Sequence, residues 1–154
     1  ELKHFTGADG DGPSGDLLLS GSTLYGTTWR GGSSNLGTAF KLETDGTGFA
    51  VLKHFTGSDG QYPRAGLALS EGTLYGTTSE GGSTILGTLF RVNTDGTGFM
   101  VLKDFTYMTY SDGANPTARL TLSGNVLYGT TQYGGSLDQG TVFRMNTDGS
   151  KKVW

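Results

Sequence analysis

The pentapeptide Leu-Tyr-Gly-Thr-Thr occupies residues 24–28, 74–78 and 127–131 of this 154-residue chain. Three more segments recur with it: Leu-Lys-His/Asp-Phe-Thr at 2–6, 52–56 and 102–106, Gly-Thr-x-Phe at 37–40, 87–90 and 140–143, and Thr-Asp-Gly at 44–46, 94–96 and 147–149. The second pentapeptide follows the first after 50 residues, and the third follows after 53 because of an insertion near 107–110. A fixed period of this length indicates a tandem repeat array.

Short apolar runs separated by turn residues make up each copy. In the middle copy, residues 66–70, 73–78, 88–93 and 99–105 have the alternation of strands, and Glu71-Gly72 is typical of a two-residue hairpin turn. Four antiparallel strands in about 50 residues is the content of one propeller blade.

Bulky residues occur at both parities of several strands, for example Leu74 beside Tyr75. A sheet with one face in water alternates more cleanly, so this pattern favours blades stacked between neighbours. A β-solenoid and an ordinary β-sandwich are the alternatives. We therefore predict an all-β fold of three four-stranded antiparallel repeats, each a β-propeller blade, with Tyr25, Tyr75 and Tyr128 in the core or in the packing between blades.

The string Gly-Thr-Leu-Tyr-Gly-Thr-Thr-x-x-Gly-Gly, followed by Thr-Asp-Gly-Thr-Gly and Val-Leu-Lys-x-Phe-Thr, resembles the bacterial GloVer tandem repeat over essentially the whole chain. Proteins with this repeat are described as choice-of-anchor proteins, which implies surface attachment. The resemblance therefore implies an extracellular or cell-surface location in bacteria. It supplies no catalytic residue and no ligand.

The blades of this single repeat domain, residues 1–154, are expected to begin at their prolines. The predicted parts are an N-terminal outer strand and turn at 1–12, blade 1 at 13–55, blade 2 at 63–105 and blade 3 at 116–154. The last strand of blade 3 stops partway at Trp154, and its missing half resembles residues 1–5.

Three blades are too few to close a ring, since propellers have typically about four to eight. Residues 1–5 are therefore expected to complete blade 3 of a neighbouring chain, with Leu2, His4 and Phe5 meeting Val153 and Trp154. Such a head-to-tail contact closes a homo-oligomeric ring, for example of two chains, or extends into a filament. In the alternative interpretation, the chain is a piece of a longer repeat array.

Residues with catalytic or metal-binding chemistry do not converge in the repeat pattern. His4 and His54 are equivalent positions of different repeats, and 9–12, Asp-Gly-Asp-Gly, has its second carboxylate in the first copy only, which indicates a turn rather than a calcium loop. The sequence has no Cys, no nucleophile elbow and no phosphate loop. We therefore expect no enzymatic activity, no cofactor and no metal site.

Partner classes are limited by charge and by the variable loops. A formal net charge of −3 with scattered Lys and Arg excludes the basic face of a nucleic-acid-binding protein, and no apolar run is long enough to enter a membrane. The loop after the pentapeptide carries Trp29-Arg30 in the first copy and Gln132-Tyr133 in the third, where aromatic rings could stack on a sugar. Two functions follow: a structural module that assembles with itself, and a carbohydrate-binding, lectin-like propeller for glycans.

Overall fold

The computed structural model describes residues 1–106 and 113–150, which contain strands, turns and loops. The first sheet is β1 (Asp11–Ser20), β2 (Thr23–Arg30), β3 (Thr38–Glu43) and β4 (Ala50–His54). The second is β5 (Ala68–Ser70), β6 (Thr73–Thr78), β7 (Thr88–Asn93) and β8 (Met100–Asp104). The third is β10 (Thr121–Ser123), β11 (Val126–Thr131) and β13 (Thr141–Asn146), beside a ribbon of β9 (Gly113–Ala114) and β12 (Tyr133–Gly134).

Strands in the sheets pair antiparallel, which confirms the predicted all-β fold. The bounds of β6 and β7 are those predicted, whereas β5 begins at Ala68 rather than at residue 66 and β8 is shorter by one residue at each end. β1 begins at Asp11, two residues before the proline at which a blade was expected to start. Within the described ranges no helix could cross a membrane.

The third sheet has three strands where four were predicted, and its expected last strand, with Val153 and Trp154, lies outside the described residues. Residues 1–5, expected to be an outer strand, form no strand. No strand pairing in the described parts of the chain joins the first sheet to the third, and closure of a ring is not observed there.

The hairpin between β5 and β6 turns where the sequence indicated. Glu71 and Gly72 both have a left-handed backbone, with φ of 48° and 76°. Two consecutive residues of positive φ give the tight turn whose twist matches that of the flanking strands.

The glycine of the pentapeptide makes room for the phenylalanine of the neighbouring strand. A Cβ atom on Gly76 would lie 2.6 Å from Cζ of Phe90. Gly129 stands in the same relation to Phe143, at 2.4 Å. The ring therefore packs directly over the backbone of the central strand, which explains why these two motifs recur together.

The second sheet buries both of its faces. Leu74 lies in a core shared with the first sheet, and the next residue, Tyr75, lies in a core shared with the third. Along β7, Leu89 and Phe90 divide between the same two cores, and both are fully buried. The two-sided burial inferred from the sequence is thus observed, and the sheets stack face to face.

Candidate functional site

The first sheet has an open apolar face. Leu17 is 55% exposed, although the equivalent Leu67 and Leu120 of the next two sheets are 0% and 3% exposed. A groove of about 360 Å³ runs over this face, between Leu17 and Phe40. Its walls are the residues whose equivalents in the second sheet form an internal core.

The third sheet also has an open face, equivalent to the other side of the packing between sheets. Val142 is 81% exposed, whereas the equivalent Ala39 and Leu89 are 0% exposed. Tyr128 is 37% exposed, while the equivalent Tyr75 is 5% exposed. The prediction of inter-sheet packing is confirmed for the first two tyrosines of the series, and the third lies at the open end.

These two open faces are equivalent to the two sides of the interface between the first and second sheets. Inside the chain, Tyr25 and Leu52 of the first sheet pack against Leu67, Leu74 and Phe90 of the second. The face that presents Tyr128 is equivalent to the side with Tyr25 and Leu52. The groove beside Leu17 is equivalent to the side with Leu67. The two exposed faces therefore occupy the positions that, in the first and second sheets, pack against each other.

The N-terminal segment packs on the open end of the first sheet. The Phe5 ring lies edge-on to Phe40, with 5.2 Å between centroids, as Phe55 does to Phe90 at 5.0 Å. Leu2 lies over the turn glycine Gly46 and stays 46% exposed. Of the residues predicted for assembly, Leu2 and Phe5 are thus held by their own chain, and the His4 side chain is 85% exposed.

An ion pair fixes this segment. Lys3 pairs with Asp9, and the Asp9 carboxylate also accepts the Thr6 amide at 2.7 Å. The Lys3 hydrogen bond, followed by that of the Thr6 amide, lowers the pKa of Asp9 from 3.8 to about 2. The predicted turn at 9–12 therefore has its first carboxylate engaged by the protein itself.

Trp29, a predicted binding residue, lies at the end of β2 in a cluster of aromatic and cationic side chains. The guanidinium carbons of Arg30 and Arg64 lie 4.1 and 4.8 Å from the Trp29 ring centroid, and the Tyr62 ring is 6.0 Å away. Both arginines are exposed, and neither forms an ion pair within the described residues. We call Trp29, Arg30, Tyr62 and Arg64 the Trp29 cluster.

Trp29 fits because Gly12 faces it. A Cβ atom on Gly12 would lie 2.2 Å from Nε1 of the indole. In the second sheet the sizes are exchanged: the large Tyr62 occupies the position of Gly12, and the small Ser79, whose hydroxyl donates to the Tyr62 carbonyl at 3.0 Å, occupies that of Trp29. This exchange places the two aromatic rings side by side across the junction between sheets.

The other two predicted binding residues lie elsewhere. Gln132 follows β11, and its backbone N–H donates to the Asn115 backbone carbonyl at 3.3 Å. Tyr133, in β12, is 49% exposed. No hydrogen bond or ring contact in the described structure joins them to Trp29 or Arg30. Sequence reasoning missed Tyr62 and Arg64, which come from the segment leading into the second sheet.

The two histidines do not meet. His54 accepts the Ser33 amide at Nδ1, 3.2 Å away, and His4 pairs with Glu1. Among the described residues, no three His, Cys, Asp or Glu side chains are grouped so as to hold a metal ion. Asp45 and Asp95, expected in turns, each accept the amide two residues later at 2.9 Å, and the hydrogen bonds of that threonine lower the pKa of each carboxyl.

Residues 1–153 match the family model of the Gloeobacter/Verrucomicrobia repeat. The chain belongs to this family. The resemblance inferred from the recurring segments is thereby confirmed. A comparison with curated proteins found no match.

Solved structures with a similar fold are propeller-like proteins. A chain of the nidogen/laminin complex aligns with a TM-score of 0.60 at 17% identity, over 92% of this chain and 46% of that one. TolB from Acinetobacter baumannii aligns at 0.56 and 15%, over 90% and 30%, and a putative TolB from Agrobacterium tumefaciens at 0.54 and 16%, over 85% and 44%. The chain spans less than half the length of each, and the likeness concerns the fold.

Proposed function

We propose that this protein is a non-catalytic β-propeller repeat module that assembles head to tail with copies of itself, as a structural unit outside the bacterial cell. One observation carries the proposal: Val142 is 81% exposed at a position where Ala39 and Leu89 are fully buried by the next sheet. The family, named after bacterial groups, and its resemblance to surface-anchored repeat proteins support the location.

The occupant of each open face is a second copy of this chain. The groove beside Leu17 is equivalent to the surface of the second sheet that packs against the Tyr25 side of the first sheet. The face that presents Tyr128 is equivalent to that Tyr25 side. By the same correspondence, Arg144 of one copy and Asp45 of the next occupy the positions that Lys41 and Asp95 have in the first and second sheets.

Native mass tests the proposal. Light scattering should show the wild type as a multiple of the chain mass, and Val142→Asp as a single chain, because a carboxylate would be desolvated in the joint. A loss of at least about 100-fold in affinity corresponds to about 3 kcal/mol. Ile85→Asp, at a 64% exposed position in the loop between β6 and β7, is the matched control and should assemble like the wild type. A monomeric wild type would contradict the proposal.

A second candidate function, carbohydrate binding, is favoured by the Trp29 cluster. Two guanidinium groups stacked near a half-buried indole present donors for a carboxylate, and the aromatic rings offer an apolar face for a sugar. The ligand class that fits is an acidic polysaccharide. Tyr62 has a φ of 57° immediately before Pro63, a left-handed backbone conformation that is unfavourable for a bulky residue.

Trp29 can report binding directly. The chain has two tryptophans, so Trp154→Phe leaves Trp29 as the only one. Its fluorescence should change saturably with oligogalacturonate and not with a neutral oligosaccharide, and Arg64→Gln should abolish the change. Arg91→Gln, in β7 and not among the residues of the Trp29 cluster, is the control. No response to either sugar would remove this candidate.

A further inference from the structure

The third sheet leaves one strand edge unpaired within the described residues. β13 pairs with β11 on one side only, whereas its equivalents β3 and β7 pair on their other sides with β4 and β8. An unpaired edge presents backbone donors and acceptors that can template a further strand.

Residues 2–5 already lie where the end of such a strand belongs. Leu2 covers Gly46 of the first sheet as Leu52, in β4, covers Gly96 of the second. Phe5 meets its phenylalanine at nearly the same distance as Phe55 does. Residues 2–5 thus contact the first sheet as β4 and Phe55 contact the second sheet. The described residues provide no strand with which this segment could pair.

We propose that residues 1–5 of one copy add to β13 of a second copy as an antiparallel fourth strand, with His4 opposite Thr141 and Lys3 opposite Val142. This inference rests on the proposed head-to-tail assembly and names its contact. The register is that of the two complete sheets, where Thr38 faces His54 and Ala39 faces Lys53, and where Thr88 faces Asp104 and Leu89 faces Lys103.

Gly140 is the second point of the contact. The Phe55 amide donates to the Gly37 carbonyl at 3.1 Å, so the Phe5 amide should donate to that of Gly140 in the second copy. A Cβ on Gly37 would lie 2.5 Å from Cδ of Pro63, which packs directly on that glycine. Gly140 has a φ of 95°, close to the 100° of Gly37, so its backbone already has the conformation on which Pro13 of the copy that donates residues 1–5 would pack.

Disulfide trapping measures the register, because the chain has no cysteine of its own. His4 and Thr141 would be a non-hydrogen-bonded pair with Cα atoms about 4.5 Å apart, which a disulfide can span. Mild oxidation of the His4→Cys/Thr141→Cys variant should give covalent dimers or a ladder of oligomers on a non-reducing gel. His4→Cys/Val142→Cys is the control, since a shift of one residue places the two thiols on opposite faces of the sheet.

The outcomes separate the strand from the assembly. Cross-linking of the first pair, at least tenfold faster than that of the control pair, supports the proposed register. Variants that assemble by light scattering but cross-link equally, or not at all, would overturn the strand addition and leave head-to-tail stacking in place. Absence of any assembly in the wild type and in both variants would overturn both.

Discussion

Ile85 has a left-handed backbone conformation, with a φ of 64°, which a β-branched side chain disfavours. The equivalent loop positions hold Asn35 and Asp138, with φ of 56° and 54°. Their side chains accept the amides of Gly31 at 3.0 Å and Gly134 at 2.7 Å. An isoleucine side chain has no acceptor, so Ile85→Asn should supply both the tolerated conformation and the hydrogen bond.

The expected gain follows from three contributions. Relief of the left-handed conformation is worth roughly 1–2 kcal/mol and a hydrogen bond roughly 0.5–1.5 kcal/mol. Ile85 is 64% exposed, so its removal sacrifices only about a third of the roughly 1.5–3 kcal/mol of a fully buried side chain. The net increase in the free energy of unfolding should be about 1–2 kcal/mol, which raises Tm by roughly 2–8 °C in a domain of this size.

Urea and thermal unfolding, followed by far-ultraviolet circular dichroism, provide the measurement. The reverse change, Asn35→Ile, is the matched control and should lower the free energy of unfolding by a similar amount. Ile85→Gly separates the contributions, because glycine relieves the conformation without adding an acceptor. Ile85→Asn with unchanged or lower stability, together with a neutral Asn35→Ile, would refute the reasoning.

Three other predictions concern the stacked sheets and their anchor. Gly76→Ala should cost about 2 kcal/mol of unfolding free energy in a urea titration, because its Cβ would collide with the Phe90 ring; a neutral result would contradict the packing described. Thr77 has a buried hydroxyl with no partner in the described structure, so Thr77→Val should raise Tm, whereas Thr27→Val, which loses a 2.9 Å hydrogen bond to a carbonyl, should lower it. Because the pKa of Asp9 is lowered from 3.8 to about 2, its ion pair should stabilise the fold fully above about pH 4 and lose this effect as the pH falls towards 2. Urea midpoints of the wild type and of Asp9→Asn should therefore converge on acidification, and parallel profiles would argue against the ion pair.

Strand positions were predictable because local and tertiary requirements coincide in the central repeat. Residues 73–78 and 88–93 are short apolar runs bounded by turn residues, and the Glu71-Gly72 turn sets the register of the hairpin formed by β5 and β6. Burial of both faces of the second sheet was also predictable, because Leu74 and Tyr75 are adjacent bulky residues on opposite faces. Edge segments were less predictable, because residues 1–6 have strand composition but find no pairing partner in the described chain.

The Trp29 cluster was predictable only in part. Trp29 and Arg30 stand out as variable loop residues, but Tyr62 and Arg64 lie more than thirty residues later and meet them only through stacking of the sheets. One signal was available: Gly12 precedes Pro13 where Tyr62 precedes Pro63. In the first copy, the large Trp29 follows the pentapeptide and a glycine precedes the proline.

Mixing two blocked variants tests head-to-tail assembly most directly. Leu17→Asp blocks the groove of the first sheet and Val142→Asp blocks the face of the third, so each variant keeps one intact face. By light scattering, each alone should be a single chain, and an equimolar mixture, well above the concentration at which the wild type assembles, should form a one-to-one dimer. A mixture that stays monomeric under conditions where the wild type assembles would contradict the complementary open faces.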